Sequence, residues 1–272
     1  MKKKITVNVI IHMVLIILAV ICLFPIFLVL INSFKENAEI VRNPLSLPDI
    51  IHLENYIQAW TTGKFAKGFL NSVKLTGCTV IIVLICATLA GYVLAGKRIK
   101  GSGAVLMYFM VAMTVPIQLF LFPLYYAYAK MNLIGNIPAT SVILSATYMP
   151  LAIFLMRTFF LNVPRELEEA ARIDGATNFQ VFTRINLPLS KPIIVYTALT
   201  SFTWPWSDFI LPKLLLKEKD LYTVAVGLMS LDETEFARFA AGSVFIAVPI
   251  VILYFFLVKD MVNGMAQGAV KG

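Results

Sequence analysis

The sequence predicts an all-α membrane protein with six transmembrane helices and one cytoplasmic helix between the fourth and fifth. Three observations carry this. Of the 272 residues, 59% are hydrophobic and 14% charged, with a mean hydropathy of +0.83, whereas soluble domains carry about a quarter charged residues. Apolar runs recur at roughly the 20-residue length that a hydrocarbon core of about 30 Å requires. One long polar stretch, 161–191, interrupts them. A membrane β-barrel would instead show strands of about 10 residues with alternating polarity.

The first run is 9–31, preceded by Lys2, Lys3 and Lys4. It is longer than the apolar region of a secretory signal and lacks an A-x-A site. Cys22 follows Ile21, where lipoprotein cleavage wants a small residue, so the run is expected to stay as an uncleaved helix. The remaining runs are 70–96, 104–129, 139–160, 192–212 and 240–258. Pro116, Pro123, Pro205 and Pro212 fall inside the third and fifth. There they kink or end helices and free backbone groups that can line a cavity. The intervening loops are 32–69, 97–103, 130–138, 161–191 and 213–239, and the whole of 1–272 reads as one transmembrane domain.

Charge orients the spans. With both termini cytoplasmic, the inner side holds thirteen basic and five acidic residues, and the outer side holds ten of each. The entire formal charge of +8 then lies inside, as the positive-inside rule requires. Topology and anionic lipid explain the basic excess. No soluble basic domain is present, so nucleic acid is not an expected partner. This orientation places 161–191 in the cytoplasm and leaves 32–69 and 213–239 outside to meet an external partner.

Within 161–191, Pro164 suits a first helical position, where its missing N–H costs nothing. Glu166, Glu168 and Glu169 favour the positive end of the helix dipole, and Ala170 and Ala171 are strong helix formers. Gly175 supplies a left-handed cap. The expected helix covers about 164–174 and is too short and polar to span. Leu167, Ala170, Ala171 and Asp174 share one small, mildly apolar face. Phe179, Phe182 and Ile185, three apart, are expected to lie against the membrane-facing side of the loop. Pro188 and Pro192 break the segment before the fifth span. A solvated connector is the plain alternative, but the loop is longer than a simple turn between neighbouring spans needs.

Cys22, Cys78 and Cys86 lie in apolar runs with no metal-ligand spacing and read as small buried hydrophobes. His12 and His52 are far apart and read as interfacial or loop residues. Neither a metal site nor a catalytic constellation is expected. Gly96 and Gly101 have P-loop spacing, but Ser102 follows where Lys is required. Intramembrane acids, which mark ion pathways, are also lacking: Lys74 and Asp208 lie near the outer ends of their spans. Both absences argue that energy comes from a partner and not from an ion gradient.

The pattern EAA-x3-G-x9-I-x-LP, complete at Glu169, Ala170, Ala171, Gly175, Ile185, Leu187 and Pro188, resembles the signature loop of permease subunits of ABC-type importers. The likeness runs nearly end to end. NSVKLT at 71–76, P-x6-PLY at 116–125, IFLMRTFF at 153–160, TSFTWPWSDFILP at 200–212, YTVAVGL at 222–228 and VNGMAQGAVKG at 262–272 resemble the carbohydrate branch. They are similar to the smaller permease subunit of maltose-type transporters, whose GAVKG-like tail reaches toward the ATPase pair.

The resemblance implies a multi-pass bacterial cytoplasmic-membrane protein whose loop forms a coupling helix seated in an ATPase. Glu168, Glu169, Ala170, Ala171, Asp174, Gly175, Ile185, Leu187 and Pro188 become the expected coupling residues. The implied partners are a second homologous permease, two ATP-binding subunits, an extracytoplasmic sugar-binding protein and membrane lipid. The chain itself would bind no cofactor, ATP and Mg being used by the ATPases. Gln118, Tyr125, Trp204, Trp206 and Asp208 are the candidate substrate-path residues, since aromatic faces with hydrogen-bonding groups suit a sugar. The competing reading makes the aromatics an interfacial belt or ordinary packing. An importer of a polyol or peptide, or an ion-coupled secondary transporter, is the alternative function.

Overall fold

A computed structural model describes the backbone of residues 2–96, 100–232 and 234–269, and side chains for 8–96, 100–232 and 234–259. Every regular element among these residues is helical. In chain order they are α1 (Lys2–Asn32), α2 (Asn37–Arg42), α3 (Glu54–Thr62), α4 (Phe65–Ala95), α5 (Ser102–Thr114), α6 (Leu121–Lys130) and α7 (Ile137–Leu161). Next come α8 (Arg165–Ile173), α9 (Asn178–Val181), α10 (Leu187–Leu189), α11 (Lys191–Ser207), α12 (Ile210–Leu215), α13 (Val224–Leu228) and α14 (Phe236–Ala269).

Among the described residues, four helices are long and apolar enough to cross a membrane: Asn8–Asn32, Phe65–Ala95, Ile137–Leu161 and Phe236–Lys259. The third expected run is not one rod. It divides at Val115 and Pro116 into α5 and the segment Ile117–Lys130, bent by 86°. Pro116 cannot donate to the preceding turn, and a short tight turn at Ile117–Phe120 restarts the helix. Counted as one broken span, this pair makes five. The fifth expected run, 192–212, also divides: α11 ends at Ser207, Asp208 is extended, and α12 adds six residues.

The chain forms two compact units. The first comprises 1–66 and 227–248. Its interior is aromatic, with Phe245 edge-on to Tyr56 and Trp60 at 5.6 and 5.0 Å between ring centroids and tilted against Phe65 at 5.5 Å. Lys35 is fully buried there. Its ammonium donates to the carbonyls of Asn43 and Pro44 and to Ser46 Oγ at 3.1, 3.4 and 3.2 Å. Three acceptors meet its three N–H groups, so the charge is solvated by the chain itself. Asn55 Nδ2 donates to the carbonyls of Ser33 and Lys35, fixing α3 to the end of α1. Asn37 accepts from the N–H of Ala237 and donates to Glu235, which closes α2 onto the start of α14.

The second unit comprises 67–226 and 249–272. One core joins α4 and α7 through Val83, Ala87, Leu94, Ala152, Ile153 and Met156, with Phe160 and Phe182. A second core joins Leu75 and Leu144 to Leu211, Leu215 and Leu216. Gly91 lets the two long helices approach closely, because a Cβ there would lie 2.5 Å from Met156 Cβ and 2.9 Å from the N of Arg157. Arg157 Nε donates to the carbonyl of Leu94 at 3.2 Å and pins the same ends together.

Cys22 and Cys86 are exposed on the isolated chain and Cys78 is half-buried, which corrects the expectation of buried hydrophobes. On a membrane helix an apolar side chain is removed from water by lipid or a partner as readily as by its own fold.

A candidate coupling helix on a continuous rod

α8 occupies Arg165–Ile173, with Pro164 just before it and Glu166 and Glu168 in its first turn. It ends in a Schellman cap. Ala176 N–H donates to the carbonyl of Ala171 at 2.9 Å and Gly175 N–H to that of Arg172 at 3.1 Å. Gly175 sits at φ +84°, which side-chain-bearing residues rarely adopt. The next helix starts two residues later with a reciprocal capping box: Thr177 Oγ1 accepts from Gln180 N–H, and Gln180 Oε1 from Thr177 N–H. Two caps back to back fix the turn between α8 and α9.

From Asn178 to Ser207 the backbone is helical almost without interruption. A π-turn covers Phe182–Asn186, where Leu187 N–H reaches back five residues to the carbonyl of Phe182. Pro188 accounts for it. Its ring would crowd the carbonyl of Arg184 and brings no N–H to it, and a wider turn upstream relieves both. The ladder resumes with Ser190 N–H on Asn186 and Ile194 N–H on Ser190, each at 2.9 Å. The end of the polar loop is therefore the start of the fifth expected span.

The structure brings the expected coupling residues onto one local assembly. Glu169, Ala170, Asp174, Gly175 and Pro188 are exposed, and Glu168, Ala171, Ile185 and Leu187 are partly buried. Glu168 ties the assembly together. It accepts from Arg172 on its own helix at 2.9 Å and from Asn186 Nδ2 in the π-turn at 3.0 Å. Phe182 packs against Tyr92, 4.9 Å between centroids, as part of the core. Phe179, expected to lie against the membrane-facing side, is instead 74% exposed. The turn between Phe179 and Phe182 is ordinary α-helix, the Phe182 N–H donating to the carbonyl of Asn178, so the two rings stand about 60° apart around the helix and only Phe182 meets the core. Ile173, at the end of α8, is 86% exposed.

The candidate substrate-path residues are not gathered into one site. Gln118 is exposed just past the α5 break. The Tyr125 hydroxyl accepts from Lys217 Nζ at 2.6 Å, and that ammonium lies 4.3 Å from its ring centroid. Asp208 is partly buried and accepts from Leu211 N–H at 3.3 Å, capping α12. Trp206 is 1% exposed, between Phe69 and Phe202. Within this chain it packs as an interior aromatic, away from the exposed Trp204. Trp204 is 58% exposed and edge-on to Tyr148 at 5.1 Å. Asn186 was not expected; its sequence signal is an amide inside the otherwise apolar Ile-x-Leu-Pro. Among the described residues no cluster of metal-ligating side chains exists. Lys97, Arg98 and Lys271 lie outside the described residues, as do the side chains of the tail that resembles the ATPase-facing segment.

Residues 87–264 match the family described as the binding-protein-dependent transport system inner membrane component. The chain belongs to that family. The permease is 33% identical to the arabinooligosaccharides transport system permease AraQ of Bacillus subtilis, over 94% of this chain and 92% of the relative. It is 30% identical to the diacetylchitobiose uptake permease NgcG of Streptomyces coelicolor, over 96% and 88% respectively. It shares the fold of a chain from the crystal structure of a bacterial ABC transporter involved in import of the acidic polysaccharide alginate. There the TM-score is 0.76 at 21% identity, covering 95% of this permease and 98% of that chain. It is a multi-pass inner-membrane transport subunit and not an enzyme.

Proposed function

We propose that this permease is the transmembrane subunit of an ATP-driven importer of a sugar or oligosaccharide. The single observation that carries the coupling half is α8: a short helix closed by a Schellman cap and hydrogen-bonded to the rod that this reading makes the fifth span. The substrate half rests on relatives whose names specify arabinooligosaccharides, maltodextrin and diacetylchitobiose. In this reading 1–272 is one permease domain of six spans, the broken pair counting as the third and the α11–α12 region as the fifth. Both termini are cytoplasmic.

A second homologous permease completes the pathway, and two ATP-binding subunits dock below the pair, α8 seating in one of them. An extracytoplasmic sugar-binding protein delivers substrate; one structural neighbour is a transporter solved with its periplasmic protein. The permease binds no cofactor, ATP and Mg belonging to the ATPases. Glu169, Ala170, Asp174, Gly175, Ile173 and Phe179 form the docking surface, while Glu168, Ala171, Ile185, Leu187 and Pro188 hold it in place. ATP-driven closure of the ATPases moves α8, and the rod carries that motion into the membrane. Gln118, Tyr125, Trp204 and Asp208 remain candidate contacts along the path, Trp204 offering the most open aromatic face.

The test is reconstitution with the neighbouring permease, ATPase and binding protein, offered labelled arabino-oligosaccharides, maltodextrins and diacetylchitobiose. ATP-dependent accumulation of one of them is expected. Accumulation that survives ATP depletion but collapses with a protonophore would overturn the reading.

A further inference from the structure

Glu168 sits where two elements meet. One carboxylate oxygen accepts from the Arg172 guanidinium within α8, the other from Asn186 Nδ2 within the π-turn. Asn186 is 1% exposed, and its Nδ2 also donates to the carbonyl of Val181 at 3.4 Å. Two acceptors on the same nitrogen fix which way the amide points. Its Oδ1 then faces the interior with no hydrogen bond. The Nε–H of Arg172 is likewise buried with no acceptor. A lone donor and a lone acceptor thus stand on the two residues that share one carboxylate.

Buried polar groups left unpaired are costly, so native structures seldom keep them without purpose. Here they are complementary. A movement of α8 against the π-turn that brought the two within hydrogen-bond reach would give Arg172 Nε–H an acceptor in Asn186 Oδ1, with Glu168 bonded to both residues. A π-turn is itself a recurrent mark of functional positions in helices, and this one carries the amide that α8 holds.

We propose that Glu168, Arg172 and Asn186 form a two-position polar joint through which movement of α8 is passed to the rod 178–207. The structure holds one position, with the guanidinium Nε–H and the amide oxygen apart; the second position pairs them. Glu168 and Asn186 are positioning residues that touch neither nucleotide nor solute. The inference rests on the coupling reading above and adds to it how the helix grips the span.

The experiment uses the assembled transporter and reads uptake per ATP hydrolysed together with copurification of the ATPase. Asn186→Asp sets two carboxylates against each other and is expected to lower uptake per ATP at least tenfold or to cost the ATPase. Adding Glu168→Gln restores an amide–carboxylate bond in reverse and is expected to recover the lost quantity to within threefold of the unaltered protein. Arg172→Lys keeps the cation but lacks the guanidinium Nε–H, so the complex assembles and hydrolyses ATP while uptake per ATP falls at least tenfold. A double variant no better than Asn186→Asp in either readout overturns the joint. Unchanged uptake per ATP in Arg172→Lys overturns its second position. If the unaltered complex accumulates no sugar, the import reading fails instead, and the joint is judged by copurification.

Discussion

His52 and Glu54 show how a single exposed contact sets charge on the segment expected to face outward. His52 Nδ1 lies 2.6 Å from Glu54 Oε1. That hydrogen bond raises the imidazole above its ordinary value of about 6.5 and lowers the Glu54 carboxyl. The stabilisation is complete below the unfolded histidine value and above the unfolded glutamate value, about 4.3. It fades as pH rises through the raised His52 pKa, or falls through the lowered Glu54 pKa. NMR titration of His52 is expected to give a midpoint above 6.5, returning toward about 6.5 in Glu54→Gln. Gly91 is the packing counterpart. Gly91→Leu places carbon where Met156 already stands, at a cost of about 1–3 kcal/mol or more. Thermal unfolding of the purified protein should show a lowered midpoint, and an unchanged one would contradict the close α4–α7 approach.

At the scale of elements, α8 is limited by Gly175. A Cβ there would meet nothing within 4 Å, so the obstacle to substitution is backbone strain alone. Gly175→Val is expected to lose about 1–2 kcal/mol, fray the helix end and reduce ATPase copurification. Gly175→Asn, which tolerates the left-handed region, should retain most of it. Equal loss in both would point to a partner surface that leaves no room for a side chain at Gly175, and not to strain.

This helix was legible in sequence because its signals are local: the proline before it, the carboxylates in its first turn and the glycine after it. The expected 164–174 and the observed Arg165–Ile173 differ by one residue at each end. The rod beyond Gly175 was not legible in the same way. Phe179 and Phe182 lie one α-turn apart, yet only Phe182 finds the Tyr92 ring, and the π-turn that follows answers to Pro188 several residues downstream. The 86° break at Pro116 was visible as a proline but not as an angle. Trp204 and Trp206 are two residues apart and equally aromatic, and only packing decides that Trp206 is interior. Lys35 falls in the expected loop 32–69, where nothing local shows that Asn43, Pro44 and Ser46 fold over its ammonium.

The whole molecule carries its apolar surface outward. Helix α1 exposes Val9 through Leu30 almost continuously, which only lipid or another apolar chain can cover. The proposed orientation is directly measurable. With Cys22, Cys78 and Cys86 replaced by Ala, Ile173→Cys should resist a membrane-impermeant maleimide in intact cells, and Lys219→Cys should react. The reverse pattern would invert the protein in the membrane and remove α8 from any cytoplasmic ATPase.

The π-turn at Phe182–Asn186 acts as a rotational offset of about 100°, one residue's share of a helical turn. Everything C-terminal to it, including the faces that bear Trp204 and Trp206, owes its azimuth to that extra residue. Removing one residue from 182–186 would take that offset out and turn the fifth expected span about its own axis. Its length would barely change, but the helix would offer its neighbours a different side.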